Sequence, residues 1–485
     1  MKKLKTMGIL TRLEKYAPFL ICFAFFIAYS VLSVVKHNHF LSGYDLGVSD
    51  QAVWLMSKFK NPISSTHAYA NTSLFSDHVE IIYALISPIY WFFNDVRILI
   101  VLQAFLISFS AIPIYYLAKM KKLKKTVIYA ILLSFLMFYG IQNAIWADVH
   151  SLVIAASIFP WFIYFLYKNK NKLAIFSFFL LLSCKEDIAL LTFILCFIYY
   201  IIERRKIALL LMGLSVIYLF LIFFVYYPNF TPDGYRFQNE NGLLSNLNLS
   251  NMYNTQAKRD VLLYSFAWFG FLPVLSPLHM LLALGDLGHY FVLGSNYVTS
   301  AQSIFLHYRV TLAAFLVWPL ILVIAKYKRL NNNYIALYIL VCAAVLQYTL
   351  HLPLSYLTKR WFWTETAGVK NIREVLPALP AHASVVSQVN ITPHINHREQ
   401  VFTLWPEKKA FQENSPCGEP TCDWFRWVGK PMYLLVDISP EWDARHLLIN
   451  NEEFARGIRN LEKEKVISPV KKHKTAALYK ILKNP

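Results

Sequence analysis

Charge is scarce in this sequence. Only 15% of its 485 residues are Asp, Glu, Lys or Arg, against about 25% in a soluble domain. The shortage falls in long apolar blocks, each near the ~20 residues that cross a hydrocarbon core. That excludes an ordinary soluble globule. Acidic residues are the scarcer sign, 28 against 47 basic, for a net charge of +19. No glycine-rich phosphate loop is present, which argues against a nucleotide site, and internal repeats and low-complexity segments are lacking. There are six cysteines. Cys22, Cys184, Cys196 and Cys342 lie in or at the ends of apolar spans and read as packing residues. Cys417 and Cys422 lie in a polar region and can bridge if that region is outside the cytoplasm.

What is abundant is hydrophobic, 57% of residues, with 16% aromatic. The basic residues collect in short loops: Lys2, Lys3, Lys5, Arg12 and Lys15; Lys119, Lys121, Lys122, Lys124 and Lys125; Lys168, Lys170 and Lys172; Arg204, Arg205 and Lys206; Lys326, Lys328 and Arg329. Such loops stay cytoplasmic. The positive charge is therefore a topology signal rather than a nucleic-acid footprint. Spans are expected at about 17–36, 97–118, 126–143, 151–167, 173–184, 188–202, 207–227, 260–275, 278–293, 309–325 and 333–352. No small-residue cleavage site precedes the acidic stretch after the first span, so that span reads as retained rather than as a signal peptide. The 79–93 segment, about 15 residues with Pro88, reads as a juxtamembrane or re-entrant helix, because counting it as a crossing puts Lys119 to Lys125 outside. Eleven crossings place all five basic clusters on one side, the N-terminus in the cytoplasm and the C-terminus outside.

The expected fold is mainly α. Residues 1–352 form a polytopic membrane domain with an outer loop at 37–96, and 353–485 form a small extracytoplasmic α/β domain. In the latter, 384–389, 433–436 and 476–482 read as strands and 453–464 as helix, with Ser439-Pro440 as a helix start.

The polar residues of the outer face are the candidate chemistry. The first loop supplies Asp45 and Asp50, in Gly43-Tyr44-Asp45-Leu46-Gly47-Val48-Ser49-Asp50-Gln51, and then Asp77, His78 and Glu80. Later turns supply Asp148 and His150; Lys185, Glu186 and Asp187; and His307, Tyr308 and Arg309. Ionisable residues at membrane depth are costly and are usually tied to partners or to function. Transfer of a group from a lipid phosphate needs this mixture: a carboxylate to take the acceptor proton and cations to hold the departing phosphate. The plainer reading of each is structural. Asp45 suits a helix N-cap, Lys185-Glu186-Asp187 an internal ion cluster, and His307-Tyr308-Arg309 an interfacial anchor. No cofactor is indicated, with a divalent metal the one option left open. His394 and His397 have a spacing that can serve a metal, but two histidines without further ligands are a weak signal.

Tyr44-Asp45-Leu46-Gly47, Asp50-Gln51-Ala52 and Trp54-Leu55 resemble the opening of a prokaryotic membrane protein family named domain of unknown function 2079. The likeness continues through Asp77-His78, Pro88-Ile89-Tyr90, Leu102-Gln103-Ala104, Ala111-Ile112-Pro113, Asp148-Val149-His150, Lys185-Glu186-Asp187 and Pro393-His394-Ile395-Asn396-His397-Arg398, covering about 40–440. That family is similar to the GT-C glycosyltransferases, in its acidic first outer loop with juxtamembrane helices and the basic loop after the second span. The likeness implies a polyprenyl-phosphate sugar donor, a lipid, glycan or protein acceptor, and catalysis at the outer face of a bacterial or archaeal cytoplasmic membrane. It also implies an acidic first-loop residue, Asp45 or Asp50, as general base, without choosing between them. Two other classes are consistent with the spans. A transporter or flippase for a lipid-linked substrate predicts charges near the mid-membrane and repeated halves. A non-catalytic assembly protein predicts an outer domain that binds a partner.

Overall fold

The computed structural model describes residues 2–66, 73–231, 235, 248–292, 301–404, 429–441 and 451–483. The chain is mainly helical, with one five-stranded sheet near the C-terminus. Among the described residues, five helical segments are long and apolar enough to cross a membrane: Tyr16–Asn38, Arg97–Met120, Lys125–Trp146, Lys206–Phe230 and His307–Lys326. They match five of the eleven expected spans. The segments expected at 151–167, 173–184, 188–202 and 333–352 are apolar helices of 10–17 residues, so length alone supports five crossings. The expected 79–93 helix is a short helix Ile82–Ile86 continued by a 3-10 turn, Ser87–Trp91.

By Cα proximity the chain divides into two compact units. The first comprises Met1–Ser33, His78–Ile82 and Ile100–Leu357. Here the helices close their backbone hydrogen bonds internally, as a lipid environment demands. Where one breaks, a side chain substitutes. Lys125–Trp146 is interrupted between Leu136 and Tyr139, and Gln142 Nε2 donates to the Met137 carbonyl. Val310–Lys326 packs against Ser151–Tyr167 and Pro277–Phe291, and Ile188–Glu203 packs against Lys206–Phe220. The Lys125–Trp146 and His307–Lys326 segments are each 83% buried, so both are interior helices; Lys206–Phe230 is 22% buried and exposes Leu209, Leu210, Val216, Ile217, Phe220 and Phe224, a face fit for lipid.

The second unit comprises Val34–Asp77, Tyr83–Leu99 and Thr358–Pro485. Its strands are β1 (Val385–Ser387), β2 (Val401–Thr403), β3 (Tyr433–Asp437), β4 (Ile467–His473) and β5 (Ala476–Ile481), in the order β2-β1-β3-β5-β4. β1 is parallel to β2 and β3, and β5 is antiparallel to β3 and β4. The helix Ala367–Val375 packs on β3, β4 and β5, and Asn451–Lys463 on β4. Val385, Val386, Leu434, Leu435 and Leu478 join Val369, Ile372, Ile458 and Phe40 in one core. Parallel β1 and β2 need a crossover rather than a tight turn. That crossover, residues 388–400, carries the Thr392–His394 turn and His397. Ser439 has no regular structure and Pro440 lies in a turn; residues 442–450, which follow the expected helix start, are outside the described residues.

Candidate functional site

The first unit gathers most of the expected polar residues. His307, Tyr308 and Arg309 form one 3-10 turn leading into the interior helix Val310–Lys326. Arg309 is fully buried. Its Nη2 donates to the Ala301 carbonyl, and its guanidinium lies over the Tyr290 and Phe291 rings at 4.7 and 5.4 Å. Among the described residues its Nε and Nη1 have no hydrogen-bond partner. A buried donor left unmade costs about 1–3 kcal/mol, and more on a charged group. The turn sits close because residue 140 is glycine. A Cβ there would meet the Arg309 carbonyl oxygen at 2.3 Å.

His307 stacks on His150, ring centroids 3.4 Å apart and planes at 21°, and lies within electrostatic reach of Lys185, Arg309 and His78. Tyr308 packs against His307 and Tyr290. His150 is set by Gln103, whose Oε1 accepts from the His150 backbone N–H at 2.9 Å and whose Nε2 donates to the Asp148 carbonyl at 2.7 Å. Asp148 takes a left-handed conformation there, φ 78°.

Lys185, Glu186 and Asp187 fill the break between Asn171–Leu182 and Ile188–Glu203. Lys185 Nζ lies 3.4 Å from Asp187 Oδ2, with His289 Nδ1 at 3.7 Å from the same oxygen. Asp187 Oδ1 is buried without a partner among the described residues. Glu186 is fully buried. Its Oε1 meets His78 Nδ1 at 2.7 Å and its Oε2 accepts from the Val79 N–H at 3.1 Å. Burial raises its pKa, but the charge and hydrogen bond of His78, with Lys185, outweigh that and hold it below the ordinary value. Lys185 is held well above its usual range, since Asp187 and its neighbours overcome the opposing effect of burial. Glu80 goes the other way: burial pushes it up to about 7 against the pull of His78 and a hydrogen bond from Ser151. Further in, Thr311 Oγ1 donates to Asp286 at 3.1 Å, and that carboxylate is within electrostatic reach of Arg309. Asp286 and His289 were not singled out in the sequence. An acid three residues before a histidine, inside an apolar stretch, is the signal that marks them.

The second unit holds Asp45, Asp50 and Asp77. Asp77 is half-buried at the end of the Leu74–Asp77 turn. The helix Tyr44–Ser57 has Gly43 as its N-cap, with no side-chain cap. Asp45 is thus not the cap its sequence position suggested; it is an exposed first-turn residue, where a negative charge suits the helix dipole. Asp50 is fully buried. Its Oδ1 accepts from the Tyr90 hydroxyl and lies 3.2 Å from His397 Nε2. Its Oδ2 has no partner among the described residues. Gly47, Asp50, Gln51 and Trp54, spaced i, i+3, i+4 and i+7, form one helical face, and each touches the 392–399 segment. The Gly47 carbonyl accepts from Asn396 Nδ2 at 2.6 Å. Gln51 Nε2 donates to the Arg398 and Glu399 carbonyls at 3.3 Å. Trp54 lies parallel to the His397 ring, 5.8 Å away.

His394 and His397 separate in role. His394 stacks between His37 and Phe40, centroids at 4.0 and 3.7 Å, and burial, with His37 and Arg373 nearby, pushes its pKa well below normal. Among the described residues no group of three or more His, Cys, Asp and Glu is placed to hold a metal ion. Cys417 and Cys422 lie outside the described residues.

No curated protein matches the chain. Residues 36–425 match the model of one family, described as a predicted membrane protein. That match spans both motif regions above and most of the sequence, and by it the chain belongs to the family of domain of unknown function 2079.

Proposed function

We propose that this protein is a membrane glycosyltransferase of the GT-C type, moving a sugar from a polyprenyl-phosphate donor to a lipid, glycan or protein acceptor. The observation that carries this reading is Arg309, a fully buried guanidinium with Nε and Nη1 unpartnered among the described residues, in a helical unit that also holds Lys185, His78, His150 and His307. Open donors on a buried, permanently charged guanidinium suit a phosphate oxygen, and in a low-dielectric site such donors stabilise a departing phosphate far better than water does. Arg309 and Lys185 hold the donor phosphate in this reading, with His78 and Glu186 shaping the site. Of the two first-loop aspartates, both in the second unit, Asp50 is the candidate for a proton-transfer role, being buried and paired where Asp45 is exposed. The reading keeps eleven crossings, an N-terminus in the cytoplasm of a prokaryotic cell, and residues 353–485 outside as the acceptor-selecting part.

The test is turnover by the full chain in lipid nanodiscs supplied with polyprenyl phosphates carrying labelled sugars. Release of polyprenyl phosphate with label passed to an acceptor supports the reading. Its absence for every donor offered, from protein shown to be folded, contradicts it.

One observation favours transport as a second reading. Glu80, raised to about 7, changes charge near neutral pH beside His78 and Lys185, as a proton-coupled site requires. Proton-driven movement of a lipid-linked substrate across vesicles, with no covalent product, distinguishes it.

A further inference from the structure

The first unit leaves open groups of both kinds in one cluster. Arg309 offers donors, since its Nε and Nη1 have no partner among the described residues. Asp187 offers an acceptor. Its side chain is only 10% exposed, and its buried Oδ1 has no partner among the described residues. The other oxygen, Oδ2, faces the cations: Lys185 Nζ lies at 3.4 Å and His289 Nδ1 at 3.7 Å. Neighbouring carboxylates are already engaged. Glu186 has both oxygens filled by His78 and the Val79 N–H, and Asp286 accepts from Thr311. The helix Pro277–Phe291 joins Asp187 to Arg309. Its His289 lies beside Asp187, and the next residue, Tyr290, has the Arg309 guanidinium over its ring at 4.7 Å. Asp286 and His289 are each within electrostatic reach of both Arg309 and Asp187.

The two open groups ask for different things. A carboxylate oxygen accepts from a hydroxyl and repels a phosphate. Guanidinium donors attract the phosphate. Leaving either unmade at this depth costs about 1–3 kcal/mol, more on a charged group. A ligand that satisfies both carries an anion with a hydroxyl beside it, as a sugar esterified to phosphate does and a bare lipid phosphate does not.

We infer that Asp187 Oδ1 accepts a hydrogen bond from a hydroxyl of the donor's sugar while Arg309 holds its phosphate, so that the site selects glycosylated lipid phosphates over bare ones. This rests on the glycosyl-transfer reading for the identity of the donor. Asp187 is a specificity-determining residue here, not a base. Its charge also acts on the spent lipid. Once the sugar has passed to an acceptor, the lipid is a phosphate monoester, which carries more negative charge than the diester and has no sugar hydroxyl to offer. Both changes favour its departure.

The test is binding to the full chain in nanodiscs, with polyprenyl phosphate as probe, bare or carrying glucose, galactose, mannose or N-acetylglucosamine. The wild type binds at least one glycosylated lipid about tenfold or more tighter than the bare one, the scale of one hydrogen bond to a charged group. Asp187→Asn keeps the shape and removes the charge. It lowers that preference about tenfold, through weaker binding of the glycosylated lipid and equal or tighter binding of the bare one. Loss of fold weakens both lipids together, so the ratio separates specificity from a structural role. Asp187→Glu keeps the charge facing Lys185 and displaces the oxygen; it lowers the preference roughly threefold and serves if the Asn variant does not fold. No wild-type preference for any glycosylated lipid overturns the inference, and so does a preference unchanged in the variants. If the preference behaves as stated but no sugar is transferred, the Asp187 site stands and the glycosyltransferase reading falls. If sugar is transferred and the variants keep the preference, the reading stands and the inference falls.

Discussion

His78 Nδ1 lies 2.7 Å from Glu186 Oε1, joining a residue from the turn before Ile82–Ile86 to the break between two apolar helices. The carboxylate is fully buried, so its second oxygen must also be satisfied, and the Val79 N–H does this. Removing one member of such a pair strands the other. Glu186→Ala is expected to destabilise the protein by roughly 3 kcal/mol, and Glu186→Gln by less, as a fall in detergent melting temperature. The sign with pH follows from the lowered pKa of Glu186: its contribution is present above the ordinary carboxylate value and is lost as pH falls below it.

Glu80 carries the opposite sign. Its pKa rises from 4.5 unfolded to about 7 folded, so the folded state binds the extra proton and stability declines as pH rises between those values. Glu80→Gln removes that slope. The expected outcome is a melting temperature that falls less from pH 5 to pH 8 in the variant than in the wild type, read by differential scanning fluorimetry. Equal slopes contradict the raised pKa of this carboxyl group.

Gly140 is the residue that lets Arg309 lie where it does. A methyl group there would sit 2.3 Å from the Arg309 carbonyl oxygen and 2.6 Å from its carbon, both backbone atoms that cannot swing aside. Gly140→Ala is therefore expected to weaken binding of polyprenyl phosphate at least ~10-fold, about 1.4 kcal/mol. Gly213 has nothing within 4 Å of the same added atom. Gly213→Ala is the control and leaves binding unchanged, with a small gain in helix stability.

The two aspartates of the opening motif separate by burial. Asp45 is exposed in the first turn and Asp50 is enclosed. Transfer by Asp50→Asn is expected to fall at least ~100-fold, with Asp45→Asn within a few-fold of wild type in the same assay. Full activity in both removes the first-loop acid from the chemistry.

Much of the architecture is legible in the sequence because lipid imposes a coarse rule: long apolar runs, with charge at their ends. Tyr16–Asn38, Arg97–Met120 and Lys206–Phe230 are read almost to their ends this way. The shorter helices are harder, since twelve apolar residues such as Asn171–Leu182 fit a crossing or a buried core helix equally. In the second unit, β1, β3 and β5 show as runs of Val, Leu, Ala and Tyr. β2 is only three residues long. β4 reads Ile-Ser-Pro-Val-Lys-Lys-His, and its proline and lysines look like loop until its edge position is known. The lysine, histidine and arginine clusters of the first unit are visible one by one as charge in an apolar chain. The Asp50–His397 pair is not, because 347 positions separate its members and only folding of the 388–400 crossover onto the Tyr44–Ser57 helix joins them.

Glycosyl transfer from a polyprenyl-phosphate donor, as proposed, requires that the buried guanidinium of Arg309 receive a lipid phosphate. The direct measurement is a cryo-electron-microscopy structure of the full chain in nanodiscs containing polyprenyl phosphate. A phosphate oxygen within hydrogen-bond distance of Arg309 Nε or Nη1, the two nitrogens without partners among the described residues, is the expected result. A headgroup bound elsewhere on the protein, with those two nitrogens still unpaired, contradicts it.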